Sequence, residues 1–180
     1  IYASDDTAET ATEETESSEE TTDKEEANAD EADSDEEEAA EAEADEAEAE
    51  LEAAIEVEND LRSEIVTYAL QFVGNRYKYG GTNPNTGVDC SGFTSYVMRH
   101  AAEVELPHSS GGQSRMGRQV SSSEMRPGDI ICYGSGKRIN HVALYIGNGQ
   151  IVHASTERTG IKVSRWNYRT PVRIVNVLGD

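Results

Sequence analysis

The sequence predicts an α+β domain in which N-terminal helices pack on an antiparallel β-sheet. Helical apolar spacing comes first in the globular part, and four short apolar runs separated by turn residues follow it. An abrupt change in charge precedes both. Residues 1–60 contain 28 acidic side chains and one basic one, Lys24, whereas residues 61–180 contain 8 acidic and 14 basic ones. We therefore predict an acidic low-complexity tail or linker over residues 1–58 and one globular domain over residues 59–180.

The acidic segment has a composition that changes along its length. Residues 1–35 are mostly Thr, Ser, Glu, Asp and Ala, which cannot bury enough apolar surface to offset the entropy of ordering, so we expect disorder. In residues 36–58, Ala replaces Thr and Ser, which favours a helix, although like charges three and four residues apart oppose it. We expect a partial helix that becomes ordered near Leu51. Such charge runs are usually solvated, and we interpret this one as a linker.

Composition excludes several classes of protein. No apolar run reaches the roughly 18 residues of a transmembrane helix, and residues 1–30 lack the basic and apolar regions of a signal peptide. Because the chain begins with Ile1 instead of Met, we expect a fragment or a processed product. Two Cys and four His without zinc-ligand spacing predict no metal and no cofactor. The acidic segment repels nucleic acid, and the basic domain lacks a dense basic run, so no nucleic-acid partner is expected.

The helices of the globular part come in order from residue 59. Apolar residues at helical spacing predict a helix that begins at a capping Asn59 or Asp60 and ends at Gly74. An aromatic, glycine-rich loop follows, and a second helix begins near Cys90. After another loop we expect a short helical turn over residues 114–120.

The strands follow a Pro-Gly-Asp turn at residues 127–129. Asp129 is interpreted as a turn residue that bonds to its own backbone. Short apolar runs separated by turns predict antiparallel strands. The four runs lie at residues 130–133, 141–146, 150–154 and 173–178.

Cys90 lies where the glycine-rich loop meets the second helix. Free backbone N–H groups and the positive end of the helix dipole favour a thiolate there and can bind an oxyanion. A buried structural cysteine is an equally frequent arrangement for a single Cys. Small polar residues flank this sulfur, which favours the nucleophile. Cys132, in an apolar run, is interpreted as a core residue.

The register of one hairpin decides whether two histidines can assist Cys90. A two-residue loop, Asn148-Gly149, places His141 and His153 on opposite faces of the sheet. A three-residue loop that includes Gly147 pairs Ala143 with His153, so that both His side chains share one face. The catalytic interpretation therefore requires the three-residue loop, with Gly149 in the left-handed conformation.

This geometry predicts nucleophilic catalysis on an amide. His141 takes the proton of Cys90, which forms a thiolate–imidazolium pair, and His153 fixes the tautomer of His141. The thiolate attacks an amide carbonyl, an acyl-thioester forms, and water releases the acyl group.

Four segments of the sequence resemble the NlpC/P60 family of bacterial cell-wall cysteine peptidases, and the resemblance extends from about Leu61 to Leu178. They are DCSGF at 89–93, RPGDI at 126–130, HVALYIG at 141–147 and IVHA at 151–154. The resemblance implies a papain-like fold and hydrolysis of peptidoglycan stem peptides, typically between D-γ-glutamyl and the diamino acid.

By motif position, the resemblance implies that Cys90 is the nucleophile, His141 the base and His153 the third polar residue. It also implies that Tyr77 lines the site and that Asp89 and Ser91 contact the free amine of the stem's L-Ala. One departure is that Leu-Pro-His108 stands where the family commonly has Leu-Pro-Arg.

We therefore predict a bacterial peptidoglycan hydrolase, a cysteine endopeptidase that is secreted or associated with the cell wall and acts as a monomer on stem peptides. Two alternatives remain open. One is another acyl chemistry on the same fold, such as a muramoyl–L-Ala amidase or an acyltransferase. The other is a non-catalytic wall-binding module.

Overall fold

The computed structural model describes residues 32–180, with side chains from residue 43 onward. Residues 45–180 form one compact unit. Three helices and eight strands form the described part. They are α1 Ala32–Leu70, β1 Thr82–Asn83, β2 Gly87–Val88, α2 Cys90–Ala102, α3 Ser110–Gln113, β3 Arg118–Gln119, β4 Ile130–Ser135, β5 Arg138–Gly147, β6 Gln150–Thr156, β7 Gly160–Arg165 and β8 Pro171–Asn176.

Helix α1 differs from the prediction because it does not begin at residue 59 or 60. It runs without interruption from Ala32, since neither Gly nor Pro occurs before Gly74 to break it. The disorder predicted for residues 1–31 lies outside the described residues, whereas residues 32–35, for which disorder was also predicted, are helical. Side chains 43–57 are exposed, including Leu51, and the buried positions begin further along. The division of the chain at residue 58 stays a prediction.

Helix α2 begins at Cys90, as predicted. Asp89 is its N-cap, and the Asp89 carboxylate accepts a hydrogen bond from the Gly92 N–H at 2.8 Å. A side chain on Gly92 would collide with the carbonyl oxygen of Gly81. The glycine therefore lets the glycine-rich loop pack directly on the first turn of the helix and positions Cys90 beside that loop.

The main sheet is antiparallel, with strand order β3-β8-β4-β5-β6-β7. The four predicted runs correspond to β4, β5, β6 and β8. The helical turn predicted over residues 114–120 is wrong, because α3 comes earlier and β3 occupies part of that range. Ser109 caps α3 by accepting a hydrogen bond from the Gly112 N–H, and this cap starts the helix before residue 114.

The hairpin of β5 and β6 has the predicted pairing but a different turn. Leu144 pairs with Val152 and Tyr145 with Ile151, whereas Gly147 pairs with Gln150 after a register shift. The turn therefore contains two residues, Asn148 and Gly149, and both have positive φ, 53° and 71°. A bulge before Gly147 supplies the extra residue that a three-residue loop would have contributed. As with a three-residue loop, the side chains of His141 and His153 therefore lie on one face of the sheet.

The sheet buries apolar side chains on both faces. One face, with Cys132, Val142 and Leu144, packs against α1 and α2 through residues such as Ile65 and Phe93. The opposite face has its own cluster, which includes Ile131, Ala143 and Ile151. From Ala32 onward, no helix combines the length and the apolar character needed to cross a bilayer.

Candidate active site

Cys90 is the first residue of α2 and is partly buried against β5. Burial raises the pKa of the Cys90 thiol, and the Asp89 charge acts in the same direction. Hydrogen bonds from the backbone of Val142, Ser91 and Cys90 itself act to lower this pKa. The sulfur therefore lies where backbone N–H groups of a strand and of a helix start converge.

This result corrects the predicted thiolate. The prediction considered the helix start, which favours the anion, but not the sheet that removes the sulfur from water. Because burial outweighs the backbone hydrogen bonds, the neutral thiol is the favoured resting form.

His141 on β5 and His153 on β6 are in direct contact. The Nε2 atom of His141 lies 2.8 Å from the Nδ1 atom of His153, and the two rings meet edge to face. His153 is 1% exposed. The arrangement leaves Nδ1 as the free ring nitrogen of His141, and Val142, which follows it, contributes a backbone hydrogen bond to the Cys90 sulfur.

Ser164 on β7 is a third member of this row that the sequence analysis missed. Its Oγ lies 2.9 Å from the Nε2 atom of His153. The strand β7 was not predicted because its sequence, GIKVSR, alternates apolar and polar residues and forms no continuous apolar run. Period-two alternation was the available signal, and extending the pairing of β6 across it would have placed Ser164 near His153.

Both histidines are neutral near pH 7. Burial lowers the pKa of His141 to about 4, and the positive charge of Arg169 acts in the same direction. Burial lowers the pKa of His153 to about 3, assisted by the charges of His141 and Lys162. The resting site therefore pairs a neutral thiol with neutral imidazoles, and His141 is ready to accept a proton.

The hydrogen bonds that link His141, His153 and Ser164 restrict which tautomers allow His141 to act as a base. If Nδ1 of His141 is free to accept a proton, its Nε2 carries the hydrogen and donates to Nδ1 of His153. The Nε2 of His153 then carries a hydrogen and donates to Oγ of Ser164. Each of the two histidines thus has one donor and one acceptor nitrogen.

Two tyrosines border the site. Tyr77 forms a bridge with Val88, and burial together with the charges of Cys90 and Asp89 raises its pKa, as expected for a ring beside both residues. Tyr168 lies 5.4 Å from the ring of His153 and is 45% exposed. Tyr77 was predicted here, whereas Tyr168 lies in an irregular segment after β7 that gave no motif.

Asp89 has more partners than the prediction assigned to it. One carboxylate oxygen accepts hydrogen bonds from the Gly92 N–H and, at 3.4 Å, from the Ser91 hydroxyl, and it lies 2.8 Å from Nε2 of His108. The other accepts the Gly80 N–H at 3.0 Å. Ser91 is buried, and its hydroxyl faces Asp89. His108, at the departure from the family pattern, thus pairs with a predicted substrate-binding residue.

The second cysteine takes no part in this arrangement. Burial raises the pKa of Cys132 to about 12, and both cysteines are free thiols. Within residues 43–180, whose side chains the structure describes, no three Cys, His, Asp or Glu side chains lie close enough to hold a metal ion.

Comparison with known proteins now identifies the fold. The model of the NlpC/P60 family matches residues 74–174. The chain belongs to the NlpC/P60 family. The crystal structure of the NlpC/p60 domain of the peptidoglycan hydrolase SagA superposes with a TM-score of 0.59 at 32% identity, covering 64% of this chain and 97% of that one. The α+β architecture is therefore that of an NlpC/P60 domain.

Two relatives have names that state an activity. The murein DD-endopeptidase MepS/murein LD-carboxypeptidase of Escherichia coli (strain K12) is 41% identical over 108 residues, which are 60% of this chain and 56% of the relative. The probable endopeptidase p60 of Listeria seeligeri is 42% identical over 98 residues, 54% of this chain and 18% of the relative. This NlpC/P60 chain thus spans little more than half of one relative and less than a fifth of the other.

Proposed function

We propose that the chain is a peptidoglycan hydrolase, a cysteine endopeptidase that cleaves stem peptides through Cys90, His141 and His153. The observation that supports this proposal best is the row of side chains beside Cys90, in which His141 contacts His153 at 2.8 Å and Val142 directs its backbone toward the sulfur. A purely structural role for Cys90 would not account for two neutral histidines in hydrogen-bond contact.

Acylation starts from the neutral pair. As the sulfur of Cys90 attacks the amide carbonyl, its proton moves to Nδ1 of His141, and the imidazolium is stabilised by the donor bond from its Nε2 to His153. His141 then gives the proton to the leaving amine. Water then attacks the carbonyl of the acyl-thioester as His141 takes its proton, the C–S bond breaks to release the carboxylic acid product, and His141 returns the proton to the Cys90 sulfur.

The start of α2 would stabilise the oxyanion of the tetrahedral intermediate. The side chain of Asp89 already accepts the Gly92 N–H, whereas the N–H groups of Cys90 and Ser91 are directed toward the sulfur. Backbone donors at a helix start are pre-oriented, so they stabilise charge that develops there without reorganisation.

The bond we propose is the one between D-γ-glutamyl and the diamino acid. Asp89 supports it, because a half-buried carboxylate beside Cys90 favours a free ammonium such as that of the stem's L-Ala. The second candidate is the cross-link between stems, which the name of the Escherichia coli relative, a DD-endopeptidase and LD-carboxypeptidase, favours. Either reaction would take place at the cell wall, and we propose that the protein acts there as a secreted monomer.

The experiment that tests this function uses purified muropeptides, both monomeric and cross-linked, incubated with the wild type and with Cys90→Ala and analysed by mass spectrometry. Release of L-Ala–D-Glu by the wild type alone supports the proposed bond and nucleophile. Conversion of cross-linked dimers to monomers supports the second candidate instead.

Two other outcomes would overturn the proposal. Separation of the intact stem from the lactyl sugar would indicate a muramoyl–L-Ala amidase. Stem peptides that the wild type leaves unchanged, as Cys90→Ala does, would indicate a wall-binding module.

A further inference from the structure

A second concave surface lies near β3 and β8, at the end of the sheet opposite β7. It encloses about 360 Å³, which is at the lower end of the roughly 300–1,000 Å³ of small-molecule sites. Its lining, which we call the basic cleft, contains three cations and no acidic side chain. The lining residues are Ser114, Arg115, Gln119, Lys137, Ile139, Val172 and Arg173.

Arg173 is the unusual member of the basic cleft. Its Nε atom is buried and has no hydrogen-bond partner, and it is the one buried side-chain atom of this kind among the residues described. Within the same residues, none of Arg115, Lys137 and Arg173 has an acidic partner within 4.0 Å. A buried guanidinium N–H without an acceptor is unfavourable, and Arg173 is otherwise partly exposed to the cleft, so the geometry points to an anionic ligand.

The neighbouring thiol of Cys132 does not supply that anion. Arg173 pairs with Cys132 across β8 and β4, and its charge acts to lower the pKa of the Cys132 thiol. Burial nevertheless keeps that pKa at about 12. The thiol is therefore neutral at physiological pH, and within the described part of the chain the charge of Arg173 has no counter-ion.

The basic cleft is on the same side of the sheet as Cys90. Arg173, Cys132 and Val142 are paired side by side on β8, β4 and β5, and residues paired in this way point to one face. That face packs against α2. In addition, Gln113 at the end of α3 donates a hydrogen bond from Nε2 to the Ser91 carbonyl at 2.9 Å. The residues that follow Gln113 line the cleft, so it adjoins the start of α2.

We propose that the basic cleft binds carboxylates of the peptide substrate and so extends the binding surface beyond the cleaved bond. This inference rests on the proposed function. The planar guanidinium of Arg173 matches a carboxylate through two parallel N–H donors, and Arg115 and Lys137 add positive charge at the exposed rim. The volume accommodates a segment of peptide and is larger than a single inorganic anion requires.

The direct test observes Arg173 itself. The full chain carrying Cys90→Ala, labelled with ¹⁵N, is titrated with a stem tetrapeptide that has free carboxylates and with the same peptide fully amidated. We expect the Arg173 Nε–H resonance to shift with the free peptide, with an affinity about tenfold higher than for the amidated one. Equal affinities, or no shift of this resonance, would overturn the proposal.

A matched pair of variants separates the basic cleft from general charge. Arg115→Gln with Lys137→Gln removes two exposed cations of the lining, and Arg158→Gln with Arg165→Gln removes two exposed cations at the β7 edge. We expect the first pair to weaken binding of the free peptide about fivefold and the second to change it less than about twofold. Equal losses would reject a specific site.

The titration also separates this proposal from the function on which it rests. It measures binding without turnover. A wild type that hydrolyses no muropeptide therefore refutes the proposed function, while the titration still shows whether the basic cleft binds the peptide. Sodium phosphate at matched ionic strength is the competing probe. If phosphate shifts the Arg173 resonance and the tetrapeptide does not, the cleft is a phosphate site and the peptide proposal is wrong.

Discussion

Two clusters of polar side chains, each with buried members, lie in this domain, and one is neutral whereas the other is ionic. On β5, β6 and β7, the row of His141, His153 and Ser164 contains neutral groups linked by single hydrogen bonds. At the packed end of α1, an ionic cluster joins distant segments. Its members are Glu58, Arg62, Arg126, Asp129 and Asp180.

The two clusters differ because one contains permanent ions and the other contains groups that are neutral at rest. In the ionic cluster, Arg62 is 3% exposed and Asp129 1%, so each ion depends on the other to offset its lost hydration. In the neutral row, no permanent ion has to be stabilised, and positive charge is expected there only while His141 holds the proton. Removing a member of the ionic cluster should therefore reduce stability, whereas removing a member of the neutral row should reduce rate.

The largest effect we predict is that of His141→Gln on turnover. Without a base, Cys90 keeps its proton, because burial raises its pKa, and kcat/KM on muropeptides should fall by about a thousandfold or more. The melting temperature should change little. His100→Gln is the matched control, because His100 is exposed on α2. A His141→Gln protein that keeps a tenth of wild-type activity would contradict the assignment.

The next effect is that of Arg62→Met on stability. The variant leaves Asp129 buried without its partner and also removes the hydrogen bonds to Asp180 and to the carbonyl of Pro127. We expect a loss of about 3–5 kcal/mol in the free energy of unfolding, measured with urea, and an unchanged kcat for the folded fraction.

Arg126→Met is the control for that experiment. Arg126 also contacts Glu58 and Asp180, but its side chain is 39% exposed. We expect a loss below about 1 kcal/mol for this exposed partner. Equal losses for the two variants would show that burial does not distinguish them, and the contrast between the two clusters would then fail.

The same comparison explains how much could be predicted from sequence. Cys90 at the start of a helix followed from the glycine-rich loop that precedes it, and the pairing that brings the two histidines together followed from the need for an extra residue in their hairpin. Both depend on neighbours close in the chain. Arg62 and Asp129 are separated by 67 residues and Arg62 and Asp180 by 118, and no local pattern links them.

The errors of the sequence analysis have physical reasons as well. Asp129 does accept a hydrogen bond from the backbone N–H of Arg126 at 2.8 Å, as a turn residue should, but no pattern in the sequence predicts its ion pair with Arg62. The thiolate predicted at Cys90 neglected burial by β5. Ser164 was missed because β7 contains no continuous apolar run. The roles of Cys90, His141 and His153 in catalysis stay predictions that the variants above test.

The pH dependence of kcat/KM tests whether the histidine row is neutral. The pKa of His141 is lowered to about 4, so the base should stay neutral, and kcat/KM should hold, until the pH falls toward 4. An ordinary histidine would lose about 97% of its neutral form at pH 5. We therefore expect activity at pH 5 close to that at pH 7. An acid limb centred near pH 6.5 would contradict the neutral row.

Stability has to be followed in parallel, because the same pKa values affect folding. The folded pKa values of His141 and His153 lie below the unfolded value of 6.5, so the unfolded state binds more protons between these limits. The contribution of these two histidines to the free energy of unfolding is therefore fully present above pH 6.5. It declines as the pH falls toward 4, by up to about 1.4 kcal/mol per pH unit for each histidine. Melting curves at each pH separate unfolding from loss of the base.

The smallest effect we predict is that of Ser164→Ala, and it tests whether the neutral row acts as one unit. The variant leaves Nε2 of buried His153 without its partner, which removes the preference for the tautomer that accepts from His141. We expect kcat to fall about five- to tenfold at unchanged KM, a loss of roughly 1–1.4 kcal/mol in the transition state. Ser164→Thr keeps the hydroxyl and should retain most activity. The ¹⁵N shifts of His153 report which ring nitrogen carries the proton. If they are the same in Ser164→Ala and the wild type while kcat falls, Ser164 acts through packing and the hydrogen-bonded row ends at His153.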